Sequence, residues 1–398
     1  MDFVGRKQMS QVAQATFATL VSLGEATRKT LSESVGISLP TVTAALAELA
    51  ASKMVLEIRR EQGLRGRATL VYGVSDEAGW VLGVDIGSTQ VSIIARGLNG
   101  TVLQDICVRH HGEPAAAAKL AGEHVALSAK KLGAKLSLHA VALALNQVVP
   151  RNLERVADRG SLVVDMVDAF CSTAELSAPC PILIENNVNC AAVAEHATGS
   201  LRGHDDAVYM QIGVGIGLGF FCDGALIRGG QGGSGELAQV PLSWSADVVS
   251  PRDAIEQRYG SRGLMKSALL KWPGGEAPPR LAEELFALGQ MEHPIAVALM
   301  REHGVALGRI AAAAAAILDP SVMALGGGLS QNAAFAEIVI DEFRARNRDT
   351  QIELSTKGAN ATVEGAAILA HDLAMRSLVS QYHKPILSRP TLRASHPV

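Results

Sequence analysis

Apolar residues at positions 15, 17, 18, 20, 21 and 23 recur at helical spacing and stop at Gly24, so residues 12–23 read as a helix closed by a C-cap glycine. A shorter helix is predicted over 27–36, where Thr27 caps, Leu31 and Val35 lie one turn apart and Gly36 breaks the run. A third, over 38–49, opens with Ser38 as cap and Pro40 in its first turn. It turns Val42, Leu46 and Leu49 inward and Thr41, Thr43 and Ala44 outward. Residues 54–60 and 68–74 then read as two strands around the loop Glu61-Gln62-Gly63-Leu64-Arg65-Gly66-Arg67.

Three helices followed by a cationic hairpin spell a winged helix-turn-helix. Small residues at the start of the third helix let a backbone approach the floor of a DNA major groove, and their hydroxyls reach phosphates and base edges. The expected DNA contacts are Ser38, Thr41, Thr43 and Ala44, with Arg65 and Arg67 on the hairpin tip reaching phosphate or a narrow minor groove. Charge agrees: residues 1–74 hold nine Lys/Arg and six Asp/Glu, against 27 and 33 in the remainder, a basic head on an acidic body. A three-helix domain used for protein contacts is the plainer alternative, and the basic hairpin at this place in the chain weighs against it.

Beyond the head, an apolar strand from 80 leads into Asp-Ile-Gly-Ser-Thr at 85–89, and a second strand turns at Asn99-Gly100. Residues 182–185 form a buried strand that runs through Asn186, Asn187 and Asn189 into a helix. The segment 209–221 reads strand, glycine loop (Gly213, Gly215, Gly217), strand; an alanine helix over 310–318 stops at Asp319-Pro320, before a strand at 322–325 and the loop Gly326-Gly327-Gly328.

In order and spacing these motifs resemble the ROK family of repressors and sugar kinases, over nearly the whole chain. The resemblance implies an α/β fold: the winged head at 1–76, a two-lobed actin-like ATPase (ribonuclease H-like) domain at 77–380, and a tail at 381–398. It also implies self-association into homodimers or homotetramers, and a double-stranded DNA operator as partner. Family kinases carry Glu-Asn-Asp-Ala-Asn, whose aspartate takes the proton from the attacking sugar hydroxyl. Here the matching residue is Asn187, an amide that still hydrogen-bonds but is no base. Ser88 stands where kinases have a second glycine, Gln90 where they often have lysine, and Val214 where they have threonine, three losses at the phosphate loops. No catalytic residue and no cofactor is expected. The family's zinc motif is also missing, with Gln239 in place of histidine and no cysteine over 240–255, so no metal is expected.

What the resemblance leaves is a ligand set, Asn186, Asn187, Glu236 and Glu256, suited to a sugar or sugar phosphate. Two readings stand for Glu236, ligand contact or solvated loop, and for Asn186, ligand contact or backbone capping in the strand-to-helix turn; for Asn189 the reading is backbone capping. The family's sugar-facing residues are not evident over 161–170. Residues His110, His111, His204 and His293 show no metal spacing and read as surface positions, and five scattered cysteines give neither a disulfide framework nor a zinc ribbon. The tail after Tyr382 shows no helix or strand period.

Composition narrows the class. With 48% hydrophobic and 19% charged residues the mean hydropathy is +0.20, yet the longest apolar run, 310–318, is too short to cross a bilayer and the N-terminus has no apolar signal core, so no membrane partner and a cytoplasmic location are expected. The leading functional expectation is a repressor of carbohydrate metabolism controlled by a sugar; an ATP-dependent sugar kinase and a ligand-independent dimeric regulator are the alternatives.

Overall fold

In the computed structural model, residues 9–62, 68–134, 136–151, 161–176, 180–241, 251, 253–379 and 392–393 are described. Two compact units result, one from Met1–Leu145, Asn152–Glu185 and Ala366–Val398, the other from Asn146–Arg151 and Asn186–Gly365.

The head opens the first unit. Helices α1 (Gln11–Leu23), α2 (Arg28–Val35) and α3 (Leu39–Ala51) are capped by Ser10, Thr27 and Ser38, each of whose hydroxyls accepts a backbone N–H three residues on. The glycines that end α1 and α2 take φ of 76° and 75°, a left-handed region that side chains avoid. Phe17, Leu20, Leu31, Val42, Leu46 and Leu49 form the buried core. Strands β2 (Val55–Gln62) and β3 (Ala68–Val74) make the wing, and a three-residue strand that the pattern does not reveal, β1 (Glu25–Thr27), pairs antiparallel with β3 to give the order β1-β3-β2. Two bonds tie the head to the lobe that begins at residue 77: Lys53 Nζ lies 2.6 Å from Glu77, and Asn99 Nδ2 donates to Asp76 at 2.5 Å.

The rest of the first unit is a six-stranded sheet. Strand β4 (Trp80–Ile86), with Trp80, Val81, Leu82 and Val84 wholly buried, pairs antiparallel with β5 (Gln90–Gly97) and parallel with β7 (Leu138–Leu145); β6 (Val102–Arg109) pairs antiparallel with β5. Strand β8 (Pro181–Asn186) lies beside β7, giving β14-β8-β7-β4-β5-β6, with α4 (Pro114–Gly133) and α5 (Leu162–Ala174) packed on each other. The outermost strand, β14 (Leu392–Arg393), corrects the expectation for the tail: these two residues pair antiparallel with β8, and so short a strand carries no period to read.

The second unit repeats this wiring. Its sheet runs β11-β10-β9-β12-β13, from β9 (Ala207–Ile212), β10 (Ile216–Cys222), β11 (Ala225–Leu226), β12 (Val322–Gly326) and β13 (Gln351–Leu354). Again the first three strands are antiparallel and the fourth pairs parallel with the first of them; here the fifth, β13, is parallel as well. Helices α6 (Asn187–Thr198), α7 (Ala254–Tyr259), α8 (Ser261–Lys271), α9 (Ala282–Gln290), α10 (Pro294–Leu318), α11 (Ala333–Arg344) and α12 (Ala361–Leu378) complete the chain, α12 passing from the second unit into the first. Leu299, Leu307, Met323, Leu325, Phe335 and Phe343 anchor the second core. All five cysteines are free, and among the described residues no single helix is long and apolar enough to cross a membrane.

Candidate functional site

On α3 the inward and outward faces separate as the pattern requires. Val42, Leu46 and Leu49 are buried, while Ser38, Thr41, Thr43 and Ala44 are exposed together with Leu39, Pro40 and Ala47. The exposed hydroxyls are engaged within the helix: Ser38 Oγ lies 2.7 Å from Thr41 Oγ1, and Thr43 Oγ1 donates to the Leu39 carbonyl at 2.9 Å. Glu48 is turned away, accepting from the Ser10 N–H and hydroxyl at 2.7 Å each, which ties α3 to the start of α1. On the wing Arg59 forks onto Glu25 and reaches Glu61 at 2.9 Å, so this arginine is neutralised. Arg65 and Arg67 lie outside the described residues.

In the second unit the strand-to-helix turn holds Asn186 and Asn187. Asn186 is the N-cap of α6: its oxygen accepts from the Val188 and Asn189 N–H groups at 2.8 and 3.2 Å, and its amide donates to the Gln147 carbonyl at 3.1 Å. Asn187, at the first helical position, is half-exposed. Asn189 is buried one turn in. Helix α6 sits against β10 closely enough that a Cβ at Gly219 would lie 3.0 Å from the Val188 carbonyl oxygen, and one at Gly217 3.4 Å from the Val188 side chain. At Gly219 only glycine fits.

Two carboxylates flank the same glycine segment. Glu256, on α7, accepts from the Ile216 N–H at 3.4 Å, and the Glu236 stretch is pinned to β10 by the Leu218 N–H donating to the Gly235 carbonyl at 2.8 Å. Burial raises the Glu236 carboxyl above its ordinary pKa, and the charge of Glu256 adds to this. Glu256 is likewise raised, by burial first and then by Asp253, against the Ile216 N–H and Arg262. Two half-buried carboxylates that disfavour each other's charge would be relieved by hydroxyl donors. In the two glycine loops, Gly87 N–H donates to the Gln90 carbonyl at 3.0 Å to close the first, with Ser88 exposed, and Val214 is half-exposed in the second.

The structure gives weight to groups for which the sequence assigns no role. Asp85, next to last in β4, has one carboxylate oxygen lacking a partner among the described residues, and burial pushes its carboxyl up to about 7. Glu195, near the end of α6, is fully buried. The histidines are less peripheral than read: His111 is exposed, but His110 bonds the Gly87 carbonyl at 3.0 Å, His204 bonds Ser321 at 3.0 Å, and His293 stacks on Trp272. Segment 242–250, which bears on the zinc expectation, lies outside the described residues.

The ROK family profile matches residues 81–373. The chain belongs to the ROK family. Among ROK relatives, it is 25% identical over 251 residues to the xylose repressor of Bacillus spizizenii, covering 61% of this chain and 64% of that protein's length. It is 26% identical over 285 residues to a glucokinase of Streptomyces coelicolor, covering 67% of this chain and 86% of the kinase. Repressors and kinases thus match at similar identity. A crystal structure of a ROK family transcriptional regulator, a homologue of the E. coli MLC protein, superposes on 93% of this chain and 98% of its own with a TM-score of 0.70 at 18% identity, so this ROK chain shares that fold from head to body.

Proposed function

We propose that this ROK protein is a DNA-binding transcription regulator, a repressor whose body senses a sugar or sugar derivative and has given up phosphorylating it. The observation that carries the reading is a winged head whose recognition helix has an uncharged exposed face, on a body whose kinase-base position is the amide Asn187. Ser38, Thr41, Thr43 and Ala44 enter the major groove, and Arg65 and Arg67 hold phosphate. In the body, Asn187, Glu236 and Glu256 face the ligand hydroxyls; Asn186, already engaged as a cap, supports the turn and reaches the ligand only at its margin. The protein acts as a homodimer or homotetramer, without zinc or nucleotide. A kinase would need a base that Asn187 does not supply, although the match to glucokinases keeps turnover the outcome to test.

The deciding experiment measures duplex binding by the full-length protein with a panel of sugars and sugar phosphates, alongside phosphorylation of the same panel with ATP. Sequence-preferring binding that one sugar shifts by about 5- to 150-fold, the usual range for coupled sites, and no turnover are expected. Glu236→Ala should lose the sugar response and keep sugar-free DNA binding. Turnover by the parent protein, or no duplex binding at low salt, overturns the proposal. If every sugar leaves operator affinity unchanged, the body serves only to join the heads.

A further inference from the structure

The exposed face of α3 carries an unusual chemistry for a surface that meets base pairs. Its outward residues, Leu39, Pro40, Thr41, Thr43, Ala44 and Ala47, include no charge and no amide, and Leu39 is 50% exposed at the first helical position. They fall on one side of the helix at the spacing that faces a groove. The hydroxyls are partly spent: Ser38 and Thr41 share one hydrogen bond, and Thr43 gives its proton to the Leu39 carbonyl, which fixes the side chain and leaves its γ-methyl as the unengaged apolar group. The one long polar side chain on the helix, Glu48, is held by Ser10.

Bidentate reading of guanine needs arginine or lysine, and of adenine asparagine or glutamine. This face has none of them. What alanine, leucine and a threonine methyl can recognise in the major groove is the C5-methyl of thymine, the one apolar group on its floor. We infer that α3 selects its operator chiefly by thymine methyl groups, contacted by Leu39, the Thr43 methyl and Ala44, with no bidentate hydrogen-bonded readout of bases by this helix. The inference rests on the DNA-binding reading above and specifies what that interface reads.

The test uses full-length protein and a preferred duplex selected from a randomised pool. Replacing thymine by deoxyuracil, one position at a time, deletes the methyl and preserves every hydrogen-bonding group in both grooves, so wing contacts in the minor groove are untouched. Each contacted thymine should cost about four-fold in affinity, the worth of one buried carbon. Thr43→Ser and Leu39→Ala remove the protein's half of the contact at exposed positions, with folding checked by thermal melts. In each variant the uracil penalty at one position should vanish while the others persist. Unchanged binding to uracil duplexes overturns the inference, as does a penalty of the same size in both variants, or a selected duplex without thymine under the helix. Absence of binding to any duplex overturns instead the DNA-binding reading on which it rests.

Discussion

Glu195 shows how much of this fold rests on single side chains. Without solvent exposure, its carboxylate accepts from the Ser200 N–H and hydroxyl, the Ser355 and Thr356 hydroxyls and the Lys357 N–H, joining the loop after α6 to the turn after β13. Burial works against its charge, but the bonds from Ser355, Lys357 and Ser200 prevail and hold the carboxyl below its ordinary value. The folded state therefore binds that proton less readily than the unfolded chain, so the stabilisation is complete above the ordinary carboxylate range and is lost as pH falls through and below it. Glu195→Gln, which sets an amide N–H₂ against N–H donors, should cost about 3 kcal/mol or more in urea unfolding at pH 7, and the gap to the parent should narrow towards pH 4; a constant gap would show that the charge is immaterial. In the sequence Glu195 is one more glutamate on a helix, because its partners at 355–357 stand some 160 positions away. The caps Ser10, Thr27 and Ser38 are legible for the opposite reason, since each bonds only three residues on. Of the ligand set, Asn186 and Asn187 follow from the strand-to-helix turn, whereas the mutual influence of Glu236 and Glu256 needs the folded glycine segment between them.

At the scale of elements, what can be read is what a segment does by itself. The helices of the head and the strands beside each glycine loop declare themselves by period, while β1 and β14 exist only through their partners, β3 and β8, and leave no pattern of their own. Close helix contacts are hidden in the same way. Helix α10 shows as an alanine-rich run, yet at Gly308 it approaches α11 so closely that a Cβ would stand 2.6 Å from the Val339 carbonyl oxygen and 2.8 Å from the Glu342 Cβ. Alanine is the better helix former by roughly 1 kcal/mol, so propensity alone makes Gly308→Ala stabilising. The contact with backbone reverses the sign: it should lower stability by about 1 to 3 kcal/mol as overpacking does. Gly133→Ala, at the end of α4 with nothing within 4 Å, is the control and should be neutral or mildly stabilising. Equal melting shifts for the two variants would refute the close approach.

At the scale of the molecule, the two large sheets share one core arrangement, three antiparallel strands with a fourth pairing parallel to the first, although their residues do not reveal a repeat. Hydrogen-bond pairing, not side-chain identity, is what is repeated, and a scan of the sequence therefore passes over it. The head, by contrast, is separable as a pattern but not as a body: Lys53–Glu77 and Asn99–Asp76 bond it to the first lobe, whose compact unit it shares. A head fixed in this way has no slack tether on which to turn, and in the proposed dimer each would keep a set angular phase relative to its twin. The operator must then match not only a sequence but a rotation. Five extra base pairs between the half-sites turn one of them through about half of the 10–10.5 base-pair helical repeat, and should abolish specific binding in a mobility-shift titration. Ten extra restore the facing and should return part of the affinity. A dimer indifferent to both insertions would be one whose heads swing free, and the bonds between head and lobe would have to open on DNA.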